Sequence, residues 1–329
     1  MRFKIFLLPA VLLSIFAVAL TLDTNPELDA YRLNSPEATF ITDLRKVDVY
    51  PLYVANYTGD YRLPDYLASG IRPDLSSVSC TCFYTGASGL FGRNFDFPAN
   101  PALLLYTQPS DDYRSVSMVD LGYFGFSMEH LPEKSSINDF LEAPYMPFDG
   151  MNEKGLIVGM AAVPYGEGTE DPDLVDIGEI AAIRLMLDYA ADVEEALELL
   201  RGYNVMMLEP PVHYLIADAS GDSVIVEFIG GEMHVINGES YQLVTNFIVT
   251  GSNAPYASGC MRYDAVYRGL VASDGFIDSV EAMNLLHASS QDSTIWSTVY
   301  DQARGEVNVA MGRDYLNVHT FTLKMTSEP

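Results

Sequence analysis

Cys80, Arg93 and Asp96 put a thiol, a guanidinium and a carboxylate within one short stretch of chain. The stretch runs Ser79-Cys80-Thr81-Cys82-Phe83-Tyr84-Thr85, then Gly86-Ala87-Ser88-Gly89, then Leu90-Phe91-Gly92-Arg93-Asn94-Phe95-Asp96. Two runs rich in β-branched and aromatic residues about a glycine-bounded turn predict a β-hairpin. A hairpin folds the return strand back on the first, so all three groups can meet. A thiol beside a guanidinium ionises more readily than a free one, which makes Cys80 a candidate nucleophile. Taken alone, Arg93 and Asp96 also suit a cross-strand ion pair of little energetic weight. Further along, Asn246 by itself reads as a turn residue and Arg262 as an exposed helix cation.

The rest of the chain must position that hairpin. Its 329 residues suffice for one large domain or two ordinary ones, and 49% hydrophobic against 19% charged residues is globular composition. With 45 acidic and 18 basic residues the net charge is -27, which argues against nucleic acid and against anionic membrane surfaces as partners. Met1-Arg2-Phe3-Lys4, an apolar run from Ile5 to about Leu20 and the small-x-small Ala17-Val18-Ala19 together predict a secretory signal peptide, cut after Ala19. An uncleaved N-terminal anchor is the alternative. Either way the protein is expected to be secreted or at the cell surface. Three cysteines, Cys80, Cys82 and Cys260, do not make a disulfide scaffold, and Cys-x-Cys lacks further ligands at zinc spacing, so neither metal nor cofactor is expected. Asn56-Tyr57-Thr58 is a glycosylation sequon.

Leu20 to Ser79 reads as a mixed segment, too apolar and aromatic for a linker, with a short helical turn at Asp65–Ala68 stopped by Gly70. Strands are expected at Ala102–Tyr106, Ser115–Leu121 and Gly155–Ala162. Helices follow at Ile177–Ala190 and after the capping pattern Asp192-x-x-Glu195. His213–Asp218 and Ser223–Ile229 form a second hairpin, and Glu232–Ile236 and Tyr241–Thr245 continue its meander. A helix at Ser279–His287 behind Asp278 precedes strands at Thr298–Gln302, Glu306–Met311 and Val318–Lys324. The alternation predicts an α+β fold, two mostly antiparallel sheets face to face with helices outside. His130, His213, His234, His287 and His319 show no ligand spacing.

Cys80-Thr81-x-Phe83 followed by Gly92-Arg93-Asn94-Phe95-Asp96 resembles the N-terminal-nucleophile (Ntn) hydrolases of the linear amide C–N class. That group includes the choloylglycine (bile-salt) hydrolases, penicillin V acylases, acid-ceramidase-like enzymes and isopenicillin N acyltransferases. Gly150-Met151-Asn152-Glu153-Lys154-Gly155-Leu156, Val244-Thr245-Asn246 and Arg262-Tyr263 match further family signatures in order, with weaker similarity at Trp296–Tyr300. Two departures stand out. Cys80 and Arg93 are thirteen residues apart, a shortened turn that keeps Cys82 in view as an alternative nucleophile. Where relatives carry an Asn or Tyr donor, this chain has Ala161-Ala162.

The resemblance implies a four-layer αββα sandwich and a precursor that cuts itself between Ser79 and Cys80. The divisions would be 1–19 signal peptide, 20–79 propeptide or small chain that stays associated, and 80–329 catalytic domain. It also implies roles: Cys80 as nucleophile, Arg93 favouring thiolate, Asp96 orienting the α-amine, Asn246 donating to the oxyanion, and Arg262 steadying charge at the rim. The substrate would be a small N-acyl amide, hydrolysed at a non-peptide C–N bond. Acyl transfer from the same thioester, or a non-catalytic cell-surface binding protein on the same fold, are the alternatives.

Overall fold

The computed structural model describes residues 40–70, 79–254 and 259–326. All of these lie in one compact unit, Thr39–Pro329. The expected signal peptide or anchor therefore falls outside the described residues, as do 20–39 and 71–78 of the segment preceding Cys80.

In chain order the first elements are β1 (Phe40–Lys46), β2 (Leu52–Thr58), α1 (Leu63–Ser69), β3 (Ser79–Thr85), β4 (Leu90–Asp96), β5 (Ala102–Gln108) and β6 (Ser115–Asp120). Next come β7 (Asp149–Asn152), β8 (Ile157–Ala162), β9 (Val175–Gly178), α2 (Glu179–Tyr189), α3 (Val193–Arg201), β10 (Tyr203–Met206), β11 (Val212–Ala217) and β12 (Ser223–Ile229). The last are β13 (Glu232–Asn237), β14 (Tyr241–Val244), α4 (Met261–Ser273), α5 (Ser279–Ala288), β15 (Thr294–Asp301), β16 (Glu306–Met311) and β17 (Val318–Thr322).

Nine strands form one sheet in the order β1-β2-β5-β6-β7-β8-β11-β12-β13, and six form another, β14-β3-β4-β15-β16-β17. The sheets pack face to face through β3 against β8 and β11; α2 lies on β7 and β8 outside the larger sheet, and α4 and α5 on β14, β3, β4 and β15 outside the smaller. That is the α+β, αββα arrangement expected. Strand β3 is buried on both faces, so it reads as a continuous apolar run rather than an alternating one. Its period of two sends Cys80, Cys82 and Tyr84 into the core between the sheets and Phe83 into the core under α4 and α5. Both candidate nucleophiles thus point inward, on the same face.

Local chemistry explains the better-read elements. Asp192 Oδ1 accepts from Glu195 N–H (2.9 Å) and Glu195 Oε2 from Ala191 N–H (2.7 Å), fixing the start of α3. Asp278 and Glu281 form the full reciprocal box at α5. Three departures from expectation matter for the site. Tyr241–Val244 does not continue the meander: β14 crosses to the other sheet and pairs antiparallel with β3, Val244 opposite Cys82. Strand β15 begins at Thr294, four residues before the expected start, and pairs with β4. The segment preceding Cys80 holds two strands: β2 lies between β1 and β5, parallel to β5 with Leu52 opposite Ala102.

Candidate active site

The hairpin β3–β4 sets Cys80 opposite Phe95, Cys82 opposite Arg93 and Ser79 opposite Asp96. Arg93 is fully buried, and its Nη2 donates to Cys80 Sγ at 3.1 Å. Its Nη1 donates to the Phe148 carbonyl, and its Nε lies 3.1 Å from Asp149 Oδ2, an ion-pair contact outside hydrogen-bond alignment. Asp149 in turn accepts from Trp296 Nε1 (3.1 Å) and the Tyr300 hydroxyl. Every neighbour of Asp149 is a donor, so the carboxylate is the form that satisfies all of them. Burial alone would loosen the proton on Arg93, but Cys80 and Asp149 outweigh it and shift the guanidinium upward. It is a fixed cation.

The backbone of Cys80 is held on both sides. Its N–H donates to Asn246 Oδ1 (3.2 Å), and its carbonyl accepts from Arg262 Nη1 (2.7 Å). Arg262 also donates to Thr81 Oγ1 (3.0 Å) and, through Nη2, to Asn246 Oδ1 (2.6 Å), and stands 3.6 Å from Asp96 Oδ2. These contacts fix the orientation of the Asn246 amide: Oδ1 faces two donors, so Nδ2 faces the Ala162 carbonyl, to which it donates at 2.8 Å. Arg262, at the start of α4, thus spans Cys80, Thr81 and Asn246.

Asp96 is buried, with its carboxylate engaged by Thr294 Oγ1 and by Gln291 Nε2 (2.6 Å). Burial raises its pKa against the pull of Thr294, Gln291 and Arg262. Burial also dominates at Cys80: the thiol is pushed up, with Arg93 the largest opposing influence and a backbone hydrogen bond from Asp96 helping it. The expectation that Arg93 alone would lower this thiol does not hold for the intact chain, because zero exposure costs the thiolate more than one cation returns.

Cys82 has a different setting. Its Sγ lies 3.8 Å from the Met160 carbonyl, and burial is again the leading cause that drives its pKa upward. Gly159 permits this approach of β8, since a Cβ there would sit 3.2 Å from Cys82 Sγ and 3.0 Å from the Phe91 ring. Cys260, half-buried, receives a contact from Thr245 Oγ1 at 3.4 Å.

The structure brings Cys80, Arg93, Asp96, Asn246 and Arg262 together, and Ser79 adjoins them. It does not bring Asn152-Glu153-Lys154-Gly155 to the thiol. Asn152 instead spans the loop, donating to Leu187 and Ala190 carbonyls and accepting from Lys154 and Leu156 N–H groups, while Glu153 pairs with Arg114. At the Ala161-Ala162 corner, the next backbone N–H, Val163, is committed to the Pro211 carbonyl (2.8 Å). Sequence reasoning missed Asp149, Thr294, Gln291 and His213. Only His213 carried a usable signal: it and Glu227 are polar residues in the two apolar strands that flank the Ala219–Asp222 turn.

The sequence profile described as linear amide C–N hydrolases, choloylglycine hydrolase family, matches residues 80–247, just over half the chain. The protein belongs to that family. A curated relative, penicillin V acylase of Pectobacterium atrosepticum, is 29% identical over 110 residues, 30% of this chain and 29% of its own length. The chain thus spans under a third of that relative. Among solved structures, penicillin V acylase of Agrobacterium tumefaciens is similar at a TM-score of 0.50 and 20% identity, covering 70% of this chain and 82% of that one. A variant of conjugated bile acid hydrolase from Clostridium perfringens also reaches 0.50, at 14% identity, covering 74% and 92%. At such identities the two share the fold, an Ntn-hydrolase sandwich.

Proposed function

We propose that the protein is an exported cysteine amidohydrolase that cuts itself before Cys80 and then cleaves small N-acyl amides. The observation that carries this reading is the setting of one residue: the Cys80 thiol faces Arg93 while Asn246 holds its N–H and Arg262 its carbonyl. Membership of a linear-amide hydrolase family supports it.

In the intact chain Cys80 N is a peptide nitrogen and cannot act as a base, and the thiol is raised by burial. Attack of Sγ on the Ser79 carbonyl moves the acyl group from nitrogen to sulfur, and water then releases Ser79 as a carboxylate. The new α-amine titrates at about 7.7–8 and can accept the thiol proton. Asp96, whose backbone opposes Ser79, is the carboxylate assigned to orient it.

Catalysis then follows two balanced steps. The thiolate bonds to the amide carbon; the carbonyl electrons move to oxygen, and the second N–H of Asn246 Nδ2 meets that oxyanion. A donor of this kind contributes about 2.7–4 kcal/mol to the transition state. Collapse breaks the C–N bond, the leaving amine taking the proton held by the α-ammonium. Water, deprotonated by the α-amine, attacks the thioester, and C–S cleavage restores the thiol. Arg93 stabilises the negative sulfur at the start and the end. The Phe95, Phe97, Tyr123 and Phe148 rings, 5.3–6.1 Å apart in succession beside Arg93, offer an apolar wall for the acyl group.

Intact mass of active protein tests the reading. A fragment beginning at Cys80 is expected, together with a second fragment ending at Ser79. Active protein without a Cys80 terminus would overturn it.

A further inference from the structure

Asn246 sits just past the end of β14, on 245–250, a stretch in neither sheet. Peptide groups outside a ladder need other partners when buried. Two side chains from the opposite sheet supply them. His213, on β11, is fully buried, and its Nε2 lies 2.8 Å from the Thr245 carbonyl. Its Nδ1 lies 3.0 Å from Glu227 Oε1 on the adjacent strand β12. Glu227 accepts from Val249 N–H at 2.7 Å and from Thr250 N–H at 2.9 Å. One hydrogen-bonded pair therefore grips the stretch at both ends: His213 at Thr245, Glu227 at Val249 and Thr250. Asn246 is carried between the grips.

The contacts fix which side of the ring donates to the loop. A carbonyl oxygen only accepts, so Nε2 bears a proton. Burial works to raise Glu227, yet the hydrogen bonds from His213 and the loop N–H groups outweigh it and hold the carboxyl at about 2. The contact between Nδ1 and Oε1 thus ties ring and carboxyl into one unit.

We propose that His213, clamped by hydrogen bonds between Glu227 and the Thr245 carbonyl, is a positioning residue that holds Asn246 against Cys80. It touches neither thiol nor substrate. This rests on Asn246 being the oxyanion donor proposed above. Loss of the clamp frees Thr245 and leaves Glu227 a buried carboxylate with only the loop N–H groups, so the Asn246 amide drifts from its place between Ala162, Cys80 and Arg262. Sub-ångström misplacement of such a group lowers the rate of the chemical step more than substrate binding.

The test uses the full chain labelled with 15N at histidine and asparagine. His213 is assigned from its loss in H213Q, and the Asn246 carboxamide from its loss in N246D. Expected are a protonated Nε2 on His213 in wild type, and a shift of the Asn246 carboxamide signals in H213Q and E227Q. Turnover of N-decanoyl para-nitroanilide is followed alongside. In H213Q kcat should fall tenfold or more while KM stays within threefold. An unprotonated Nε2 on His213, an unmoved Asn246 amide in folded H213Q, or wild-type kcat in H213Q overturns the proposal. If Nε2 carries its proton and the amide moves, yet wild type matches Cys80→Ala in turnover, the clamp stands and the amidohydrolase reading fails.

Discussion

Asp149→Asn separates the geometry of Arg93 from its charge. The Arg93 and Asp149 side chains are both fully buried, with Nε 3.1 Å from Oδ2. Neutralising one end leaves a guanidinium in the core with only the Phe148 carbonyl and the Cys80 sulfur as acceptors. Breaking a buried pair in this way costs about 3–5 kcal/mol. Asn keeps the volume and one acceptor for Trp296 or Tyr300, which places the expected loss near the lower end, about 3 kcal/mol. The measurement is denaturant unfolding in a Cys80→Ser background, so that cutting does not intervene and Arg93 keeps an acceptor at position 80, read as a change in midpoint at constant slope. Replacing both ends, Arg93→Met with Asp149→Leu, should recover part of the loss by removing the orphaned charge, less the acceptor that Trp296 and Tyr300 forfeit. A loss below about 1 kcal/mol in Asp149→Asn would show that the pair is not dry, and the account of Arg93 as a fixed cation would fall with it.

Three further outcomes are expected. Cys80→Ser and Cys80→Ala should abolish cutting and turnover while Cys82→Ser keeps both; mass spectrometry placing the new terminus or a thiol label at Cys82 would reverse the assignment. Asn246→Ala should lower kcat by about 10²–10³-fold in steady-state assays on the same para-nitroanilide, and a change confined to KM would remove it from the oxyanion. Asp120 is buried, and burial lifts its carboxyl to about 6 against hydrogen bonds from Gly122 N–H and Asn100. A folded pKa above the unfolded one gives stability that is full below about pH 4 and lost as pH rises through 6, a swing of about 3 kcal/mol. Asp120→Asn should therefore unfold with less pH dependence between pH 4 and 7 than wild type, and parallel curves would refute the assignment.

Much of this was legible in the residues, for identifiable reasons. The hairpin about Gly86–Gly89 announced itself through turn chemistry, and α3 and α5 through caps whose donors and acceptors lie three residues apart. Arg93, Asp96 and Cys80 follow from that hairpin, being local. Asn246 and Arg262 came only from resemblance, because the crossover of β14 to pair with β3 leaves no mark in a stretch that alternates like any strand. Strands β1 and β2 escaped notice for a related reason: β2 is buried along most of its length between two neighbours, so Leu52-Tyr53-Val54-Ala55 lacks the alternation that signals an exposed face. His213 was set aside for want of metal-ligand spacing, whereas its partners are a carboxylate across the hairpin and a carbonyl 32 residues away.

The place of β2 between β1 and β5 has a consequence for the life history of the molecule. Beyond it, Tyr61 donates its hydroxyl to Asp188, itself paired with Arg184 in the interior, so residues on either side of the proposed cut share one core. Before the cut, folding is a first-order event within a single chain. Afterwards the same structure is a complex of two pieces, and regaining it from the unfolded state becomes second order, slower at every dilution. The cut would thus act as a ratchet: assembly is available to the molecule once, and its later persistence is set by how slowly the sheet opens.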